Sequence, residues 1–136
     1  MPRLSIALLG TFTVLLEGQP VSFGYDKLRA LLAYLALEAA QPVRREKLAG
    51  LLWPDQSEQS AQDSLRQALS RLRQTLGDRQ SNLPVLLVER ETVQLPPSSD
   101  LWVDVRAFQE SLASLFGSFR GERHSILQKV RGHYTQ

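Results

Sequence analysis

A run of arginine, glutamine and serine side chains between residues 59 and 74 has the types and the spacing that nucleic-acid contacts require. Arginine pairs with guanine and glutamine with adenine through two hydrogen bonds, and each such pair discriminates against a wrong base by about 1–3 kcal/mol. Leucines recur on the other side of the same run at helical spacing, so one face packs inward and the polar face stays available. We interpret residues 60–77 as the recognition helix of a DNA-binding domain.

The polar residues in and around this helix predict two kinds of contact. The candidates for contacts with DNA bases lie near the centre of the polar face and are Asp63, Arg66, Gln67, Ser70 and Gln74. The candidates for contacts with DNA phosphates lie at its flanks and at the start of the preceding helix, and are Arg71, Arg73, Arg44, Arg45 and Lys47. Arg90, between two β-rich runs, is the candidate contact of a hairpin wing.

Composition limits the class of protein. The chain has 136 residues, of which 43% are hydrophobic and 22% charged, which predicts one globular domain with a short extension. It has no cysteine, so disulfides and thiolate metal sites are excluded, and a cytoplasmic location is favoured. No apolar run is long enough to cross a bilayer, and we expect no membrane partner. The net charge is only +2, with a basic surplus of two between positions 41 and 80, which is a weak signal for nucleic acid.

Catalytic and metal chemistry find no support in the residue pattern. The two histidines, His124 and His133, lack the spacing of metal ligands. The sequence has no glycine-rich phosphate loop, no nucleophile motif with a nearby base and no zinc-protease motif. Glu89 and Glu91 fall on the predicted hairpin, where solubilising charge explains them. The sequence therefore predicts no enzyme, no metal and no cofactor.

The elements that position the polar residues begin with a small sheet. Residues 4–8 and 12–16 alternate between apolar and polar side chains and predict two strands. A turn over residues 17–20 then leads to a short third strand at 21–23. Leucines at helical spacing predict a first helix from about residue 26 to residue 39.

Prolines, glycines and caps delimit the next two helices. A second helix over residues 45–52 ends at the Trp53-Pro54 pair. The long helix begins near Ser57, whose hydroxyl can cap free amides, and Gly77 closes it. Trp53 and Trp102 both border apolar runs, and we expect both to be core anchors.

The order of elements predicts a fold. Residues 85–88 and 92–95 form a hairpin after the long helix. A sheet, three helices and a hairpin make an α+β winged helix-turn-helix, whose third helix enters the major groove and whose wing lies on the backbone or minor groove. We place this domain at residues 1–97. Residues 98–136 then contain a linker and one or two helices of a truncated helical domain.

Four segments carry a resemblance to one family. In chain order they are AYLAL at 33–37, REKLAGLLWPD at 45–55, SLRQALSRLR at 64–73 and WVDVRAF at 102–108. With them, the chain resembles the bacterial transcriptional activators that are similar to the Streptomyces antibiotic regulatory proteins. In that family an OmpR/PhoB-type winged helix precedes a bacterial transcriptional activation domain built of tetratricopeptide-like repeats.

The resemblance implies partners beyond a single DNA site. Members of the family bind direct repeats of double-stranded DNA head to tail and recruit RNA polymerase. This implies a head-to-tail dimer on DNA for the present chain. It also implies that the loop between the second and third helices faces the polymerase, through Asp55, Gln56, Ser57 and Glu58.

A second interpretation uses the same fold for protein contact. In it the third helix packs against a protein, either a second copy of the chain or RNA polymerase. The small basic surplus favours this alternative. A titration against random duplex DNA distinguishes the two, because phosphate binding weakens as salt rises.

Overall fold

The computed structural model of the chain describes residues 2–38, 41–78, 84–98 and 100–115. Its helices are α1 (Asp26–Leu37), α2 (Arg45–Leu52), α3 (Glu58–Thr75) and α4 (Asp104–Leu115). Its strands are β1 (Leu4–Ala7), β2 (Thr13–Leu16), β3 (Gln19–Pro20), β4 (Val43–Arg44), β5 (Leu87–Val88), β6 (Thr92–Gln94) and β7 (Leu101–Val103). An N-terminal sheet, three helices and a hairpin follow one another as predicted, which confirms the α+β winged-helix fold. Within these ranges no helix is both long and apolar enough to span a bilayer.

The N-terminal sheet has the strand order β3-β2-β1-β7. β1 runs antiparallel to β2, with Leu4 opposite Leu16, and parallel to β7, with Leu4 opposite Leu101. Leu4, Ile6 and Val14 are buried and belong to the same apolar cluster as the leucines of α1 and α3. The sheet is therefore packed into the same core as the helices.

The third strand lies two residues earlier than the sequence predicts. Glu17 and Gly18 have φ values of 52° and 82°, the left-handed conformation of a two-residue hairpin turn. So tight a turn places Gln19 directly opposite Leu16, and pairing begins at once. The strand predicted at residues 21–23 is therefore wrong in its bounds: β3 is Gln19–Pro20, and the chain adds only one further bond to β2, from the Val21 amide to the Val14 carbonyl at 2.9 Å.

The three helices meet in a leucine-rich core. The buried residues of α1 are Leu28, Leu31, Leu32, Leu35 and Ala36. Those of α3 are Ala61, Leu65, Ala68, Leu69 and Leu72. α2 packs against α3 and completes the helix-turn-helix. The predicted bounds of α2 are confirmed, whereas α1 ends at Leu37 with Glu38 as its C-cap, two residues before the predicted end near residue 39.

The predicted hairpin is part of a second sheet with the strand order β4-β6-β5. β5 and β6 are antiparallel, with Val88 opposite Val93, which confirms the hairpin. β6 also pairs with β4, where Val43 lies opposite Val93. Because β4 immediately precedes α2, this pairing attaches the hairpin to the start of the helix-turn-helix.

A strand that the sequence analysis did not predict, β7, precedes α4. Successive side chains of a strand point to opposite faces, so Val103 is 3% exposed whereas Trp102 is 45% exposed. Trp102 is therefore not the core anchor that we expected. Trp53 is half-buried and packs against the core, as predicted. His124 and His133 lie outside the described residues.

Asp104, the first residue of α4, ties this helix to the N-terminal sheet. Its carboxylate accepts hydrogen bonds from the backbone amides of Leu8, at 2.9 and 3.0 Å, and of Leu9, at 2.9 Å. These amides follow β1 directly. The carboxylate thus holds the end of β1 against the start of α4.

Arg106 makes a second connection, between α4 and the helical core. Its guanidinium donates hydrogen bonds to the carbonyl oxygens of Leu35, Ala36 and Leu95, at 2.7–3.0 Å. Burial lowers the pKa of Arg106 to about 10, so the side chain remains protonated at neutral pH. These bonds cross residue 97, where the domain boundary was placed, and that boundary stays a prediction.

Candidate nucleic-acid interface

The predicted recognition helix corresponds to α3, and both of its ends are capped. At the N-terminus the Ser57 hydroxyl accepts a hydrogen bond from the Ser60 amide at 3.2 Å. At the C-terminus Gly77 has φ 71°, and its amide donates to the Gln74 carbonyl at 3.1 Å. Between the caps one face of the 18 residues is buried against the core, so the opposite face is held toward solvent along the whole helix.

The candidates for base contact differ in exposure. Arg66, Gln67 and Gln74 are exposed, whereas Asp63 and Ser70 are half-buried. Arg66 and Gln67 are neighbours in the chain, and Gln74 lies two turns further on. The three exposed side chains therefore form a polar strip that a partner can contact without any change in the fold.

Asp63 lies beside Arg66, the arginine of this strip. Its Oδ1 atom accepts from Arg66 Nη2 at 3.2 Å and from Gln59 Nε2 at 3.3 Å. The side chains of Arg66 and Asp63 are 70% and 45% exposed, so solvent screens the ion pair and it contributes little to stability. A stronger anion, such as a phosphate, or a guanine edge can replace the carboxylate.

The two arginines predicted to bind phosphates on the flanks of α3 have different surroundings. Arg71 is exposed, and its Nη1 atom lies close to the loop before α1. A Cβ atom added at Gly24 would lie 3.8 Å from that Nη1 atom. Arg73 is half-buried, and its Nε atom has no hydrogen-bond partner among the described residues. Arg71 is thus the more accessible of the two cations.

The basic residues at the start of α2 also divide. Arg44 is exposed and lies 3.9 Å from Glu46, too far for a strong pair. Lys47 is exposed, and its Nζ atom lies 5.9 Å from the centre of the Tyr34 ring. The guanidinium group of Arg44 and the ammonium group of Lys47 therefore both lie on the surface at the start of α2.

Arg45, by contrast, binds the hairpin. Its backbone amide donates to the Glu91 carbonyl at 2.9 Å, and its Nη1 atom donates to the Glu89 carbonyl at 3.3 Å. The side chain is half-buried. Sequence reasoning assigned Arg45 to a phosphate, and the structure adds a bond to the hairpin that no local pattern indicates.

The tip of the hairpin carries three charged residues. Glu89, Arg90 and Glu91 are all exposed, and the Glu89 amide donates to the Thr92 carbonyl at 2.9 Å, which closes the turn. Arg90 is therefore on the surface where a wing residue has to be. Its two acidic neighbours reduce the positive potential there.

Asp78 is the one carboxylate of this region that is fully buried, and sequence reasoning missed it. Its side chain is 0% exposed. Oδ1 accepts from Arg3 Nη2 at 2.9 Å and from the Val85 amide at 3.1 Å, and Oδ2 accepts from the Leu86 amide at 3.0 Å. The only local signal was an acidic residue directly after the glycine that ends α3.

Residues 54–58, which end the connection between α2 and α3 and begin α3, are all exposed. Asp55, Gln56, Ser57 and Glu58, the residues predicted to face RNA polymerase, are all accessible. Gln56 is held by a hydrogen bond from the Ser64 hydroxyl to its Oε1 atom at 2.9 Å. A shallow groove beside the loop is lined by residues of α2, the loop and α3, among them Gly50, Trp53 and Ala61.

Metal ligation has no basis in the described part of the chain. Residues 2–38, 41–78, 84–98 and 100–115 contain no group of three or more histidine, cysteine or acidic residues that could hold a metal ion. The polar groups that converge do so on backbone amides and carbonyls.

Residues 19–91 match the model of the family described as "Transcriptional regulatory protein, C terminal". Over 75 residues the chain is 36% identical to the transcriptional regulatory protein EmbR of Mycobacterium bovis and of Mycobacterium tuberculosis. Each match covers 55% of this chain and 19% of the relative, so the matched part is about a fifth of those proteins.

A solved structure is similar over the whole chain. It is described as "Mycobacterium tuberculosis EmbR in complex with low affinity phosphopeptide". The match has a TM-score of 0.67 and 25% sequence identity, and it covers 100% of this chain and 37% of that one.

Proposed function

The chain belongs to the family of C-terminal domains of transcriptional regulatory proteins, the OmpR/PhoB type that the sequence predicts, and we propose that it binds a specific DNA sequence as part of an activator. It is a DNA-binding transcription regulator by membership of that family. The finer proposal is that α3 lies in the major groove and that the β5–β6 hairpin lies on the backbone or in the minor groove.

The polar face of α3 carries the proposal. Arg66, Gln67 and Gln74 are exposed on a helix whose other face is buried and whose two ends are capped. A rigid helix with exposed arginine and glutamine meets the geometric requirement for reading base edges.

The individual contacts follow from exposure. We assign base contacts to the candidates on the polar strip, with Arg66 and Gln67 first and with Asp63, Ser70 and Gln74 around them. We assign phosphate contacts to Arg44, Lys47 and Arg71, which are exposed, and to Arg45 and Arg73, which are half-buried. Arg90 contacts DNA from the wing.

Two single substitutions test the assignment of bases and phosphates. The preferred sequence is first selected from a random duplex pool. On that duplex Arg66→Ala weakens binding by roughly ten- to a hundredfold, and on random duplex it changes affinity little, because a base contact discriminates by about 1–3 kcal/mol. Arg71→Ala weakens binding to both duplexes and lowers the salt slope by about one.

Arg29→Ala is the matched control for these two variants. Arg29 is exposed on α1, where its guanidinium lies 5.3 Å from the centre of the Phe12 ring. The substitution therefore removes the same charge as the other two, but from another face of the domain. We expect the affinity of the Arg29→Ala variant for both duplexes to stay close to that of the parent chain. Equal losses for Arg29, Arg66 and Arg71 contradict the proposed interface.

Two observations about charge favour the protein-contact alternative. The wing tip has two glutamates beside its single arginine, and the net charge of the chain is +2. If α3 packs against a protein, affinity for DNA is weak and the response to salt is flat. A titration against random duplex at three salt concentrations therefore decides between the two functions.

The partners that the family resemblance implies are proposals for this chain too. The exposed loop of Asp55, Gln56, Ser57 and Glu58 contacts RNA polymerase, and two copies bind direct repeats head to tail. The joint variant Asp55→Ala with Glu58→Ala keeps its affinity for DNA and lowers transcription in a purified system. Loss of DNA affinity in that variant contradicts the assignment of the loop to the polymerase.

A further inference from the structure

The hairpin is held in two places, along the edge of β6 and at the chain that enters β5. On one side β6 pairs with β4, where Val43 lies opposite Val93. On the other side β5 is the outer strand of the sheet, so strand pairing does not fix the chain that leads into it. That chain is fixed by Asp78, whose carboxylate accepts the amides of Val85 and Leu86 at 3.1 and 3.0 Å.

The same carboxylate is joined to the end of α3 and to the N-terminal sheet. Asp78 directly follows Gly77, the left-handed residue that ends the helix. Arg3, one residue before β1, donates from Nη2 to Asp78 at 2.9 Å and from Nη1 to the Leu76 carbonyl at 3.4 Å. One buried group therefore connects three elements, two of which are the proposed DNA-contacting elements.

A buried ion pair is a weak source of stability, because desolvation offsets most of the attraction between the charges. Apolar side chains of the same volume often stabilise a core as well or better. A carboxylate that accepts two adjacent amides does something that an apolar side chain cannot, since it fixes the direction of the backbone. The geometry at Asp78 is thus better explained by position than by stability.

We propose that Asp78 is a positioning residue of the DNA interface, which holds the β5–β6 hairpin and Arg90 at a fixed distance from the polar face of α3. Its effect on DNA affinity rests on the function proposed above, whereas its effect on geometry does not. Asp78 itself is buried and makes no contact with DNA.

A distance measurement without DNA tests the geometry. The chain has no cysteine, so Gln67→Cys and Arg90→Cys accept two spin labels without background. In Asp78→Asn we expect a distance distribution roughly twofold broader, because the hairpin entry is released on one edge. The matched control is Asp104→Asn, whose carboxylate also accepts two adjacent amides, but at the end of β1. Equal widths in the two variants overturn the proposal.

A milder variant covers the case in which Asp78→Asn does not fold. Arg3→Gln keeps the carboxylate and its two amides and removes the ion pair. We expect a broadening smaller than that of Asp78→Asn and larger than that of Asp104→Asn. If Asp78→Asn is unfolded, Asp78→Glu takes its place: the longer side chain keeps the charge but cannot keep both oxygens at the amides of Val85 and Leu86, and a distribution as narrow as that of the parent chain then overturns the proposal.

A double-mutant comparison tests the consequence for DNA. In the parent chain Arg90→Ala weakens binding by roughly tenfold, and in Asp78→Asn it weakens binding by less than about twofold, since the wing is already displaced. The loss caused by Arg66→Ala is the same in both backgrounds. An equal loss from Arg90→Ala in both backgrounds overturns the coupling. If the parent chain binds no DNA, or if Arg90→Ala has no effect in it, the proposed function fails and the distance measurement alone decides this inference.

Discussion

Some of the described arginines face solvent, whereas others bind oxygen atoms of the chain itself. Arg66 and Arg71 are exposed. Arg45 and Arg106 donate to backbone carbonyls, and Arg3 donates to Asp78. An arginine whose donors are used internally keeps its charge but has fewer donors left for a direct bond to a phosphate. Among the described residues, fewer arginines can bond a phosphate directly than the sequence contains, and we expect specificity to come from a few side chains.

Arg106 carries a prediction about stability. Arg106→Leu leaves the carbonyl oxygens of Leu35, Ala36 and Leu95 without their common donor. We expect the free energy of unfolding to fall by about 2–4 kcal/mol, because buried acceptors lose hydrogen bonds to a charged group. Urea unfolding measures the loss. Arg66→Leu, at an exposed position, changes it by less than about 0.5 kcal/mol, and a similar value for Arg106→Leu contradicts the role described.

Prediction at the residue scale succeeded where the information was local. The exposure of Arg66 and Gln67 follows from helical periodicity, which needs only the neighbouring residues. Asp78 is bonded to Arg3, which lies 75 positions away in the chain, and nothing near either residue marks the pair. Whether the exposed candidates contact bases stays a prediction.

The same distinction holds for whole elements. α2 and α3 were predicted correctly because proline, serine and glycine delimit them in the sequence itself. β7 was not predicted, because its three residues become a strand only through pairing with β1. β3 was misplaced by two residues, because the turn at Glu17 and Gly18 is tighter than its composition indicates.

The N-terminal cap of α3 gives a prediction at this scale. Ser57→Ala removes the acceptor for the Ser60 amide. We expect a loss of about 1 kcal/mol in the free energy of unfolding, measured by urea or heat. Ser60→Ala is the matched control, since it is an exposed serine of the same turn whose hydroxyl is not the cap. If both variants have the same stability, Ser57 does not cap the helix in solution.

At the scale of the molecule, the segment after residue 97 is joined to the elements before it. β7 extends the N-terminal sheet, and Asp104 and Arg106 bind backbone groups of residues 8, 9, 35, 36 and 95. The sequence placed a domain boundary here because two prolines and two serines interrupt the pattern. Composition alone does not reveal a strand that returns to the sheet.

Truncation tests where the folded unit ends. A chain of residues 1–98 lacks β7 and α4, whereas a chain of residues 1–115 keeps both. We expect the melting temperature of the shorter chain to be lower by roughly 10 °C or more, because β1 loses a partner and several carbonyls lose their donor. Calorimetry compares the two. Equal melting temperatures support the boundary at residue 97.

The parallel pairing of β1 with β7 also has a consequence for synthesis. Leu4 pairs with Leu101, so one edge of β1 stays open while almost all of the domain is translated. Contacts between residues so distant in sequence form slowly, and open strand edges are sites of aggregation. The nascent chain therefore cannot complete its first sheet until β7 has left the ribosome. A pause in translation before that point leaves the unpaired edge of β1 open to aggregation.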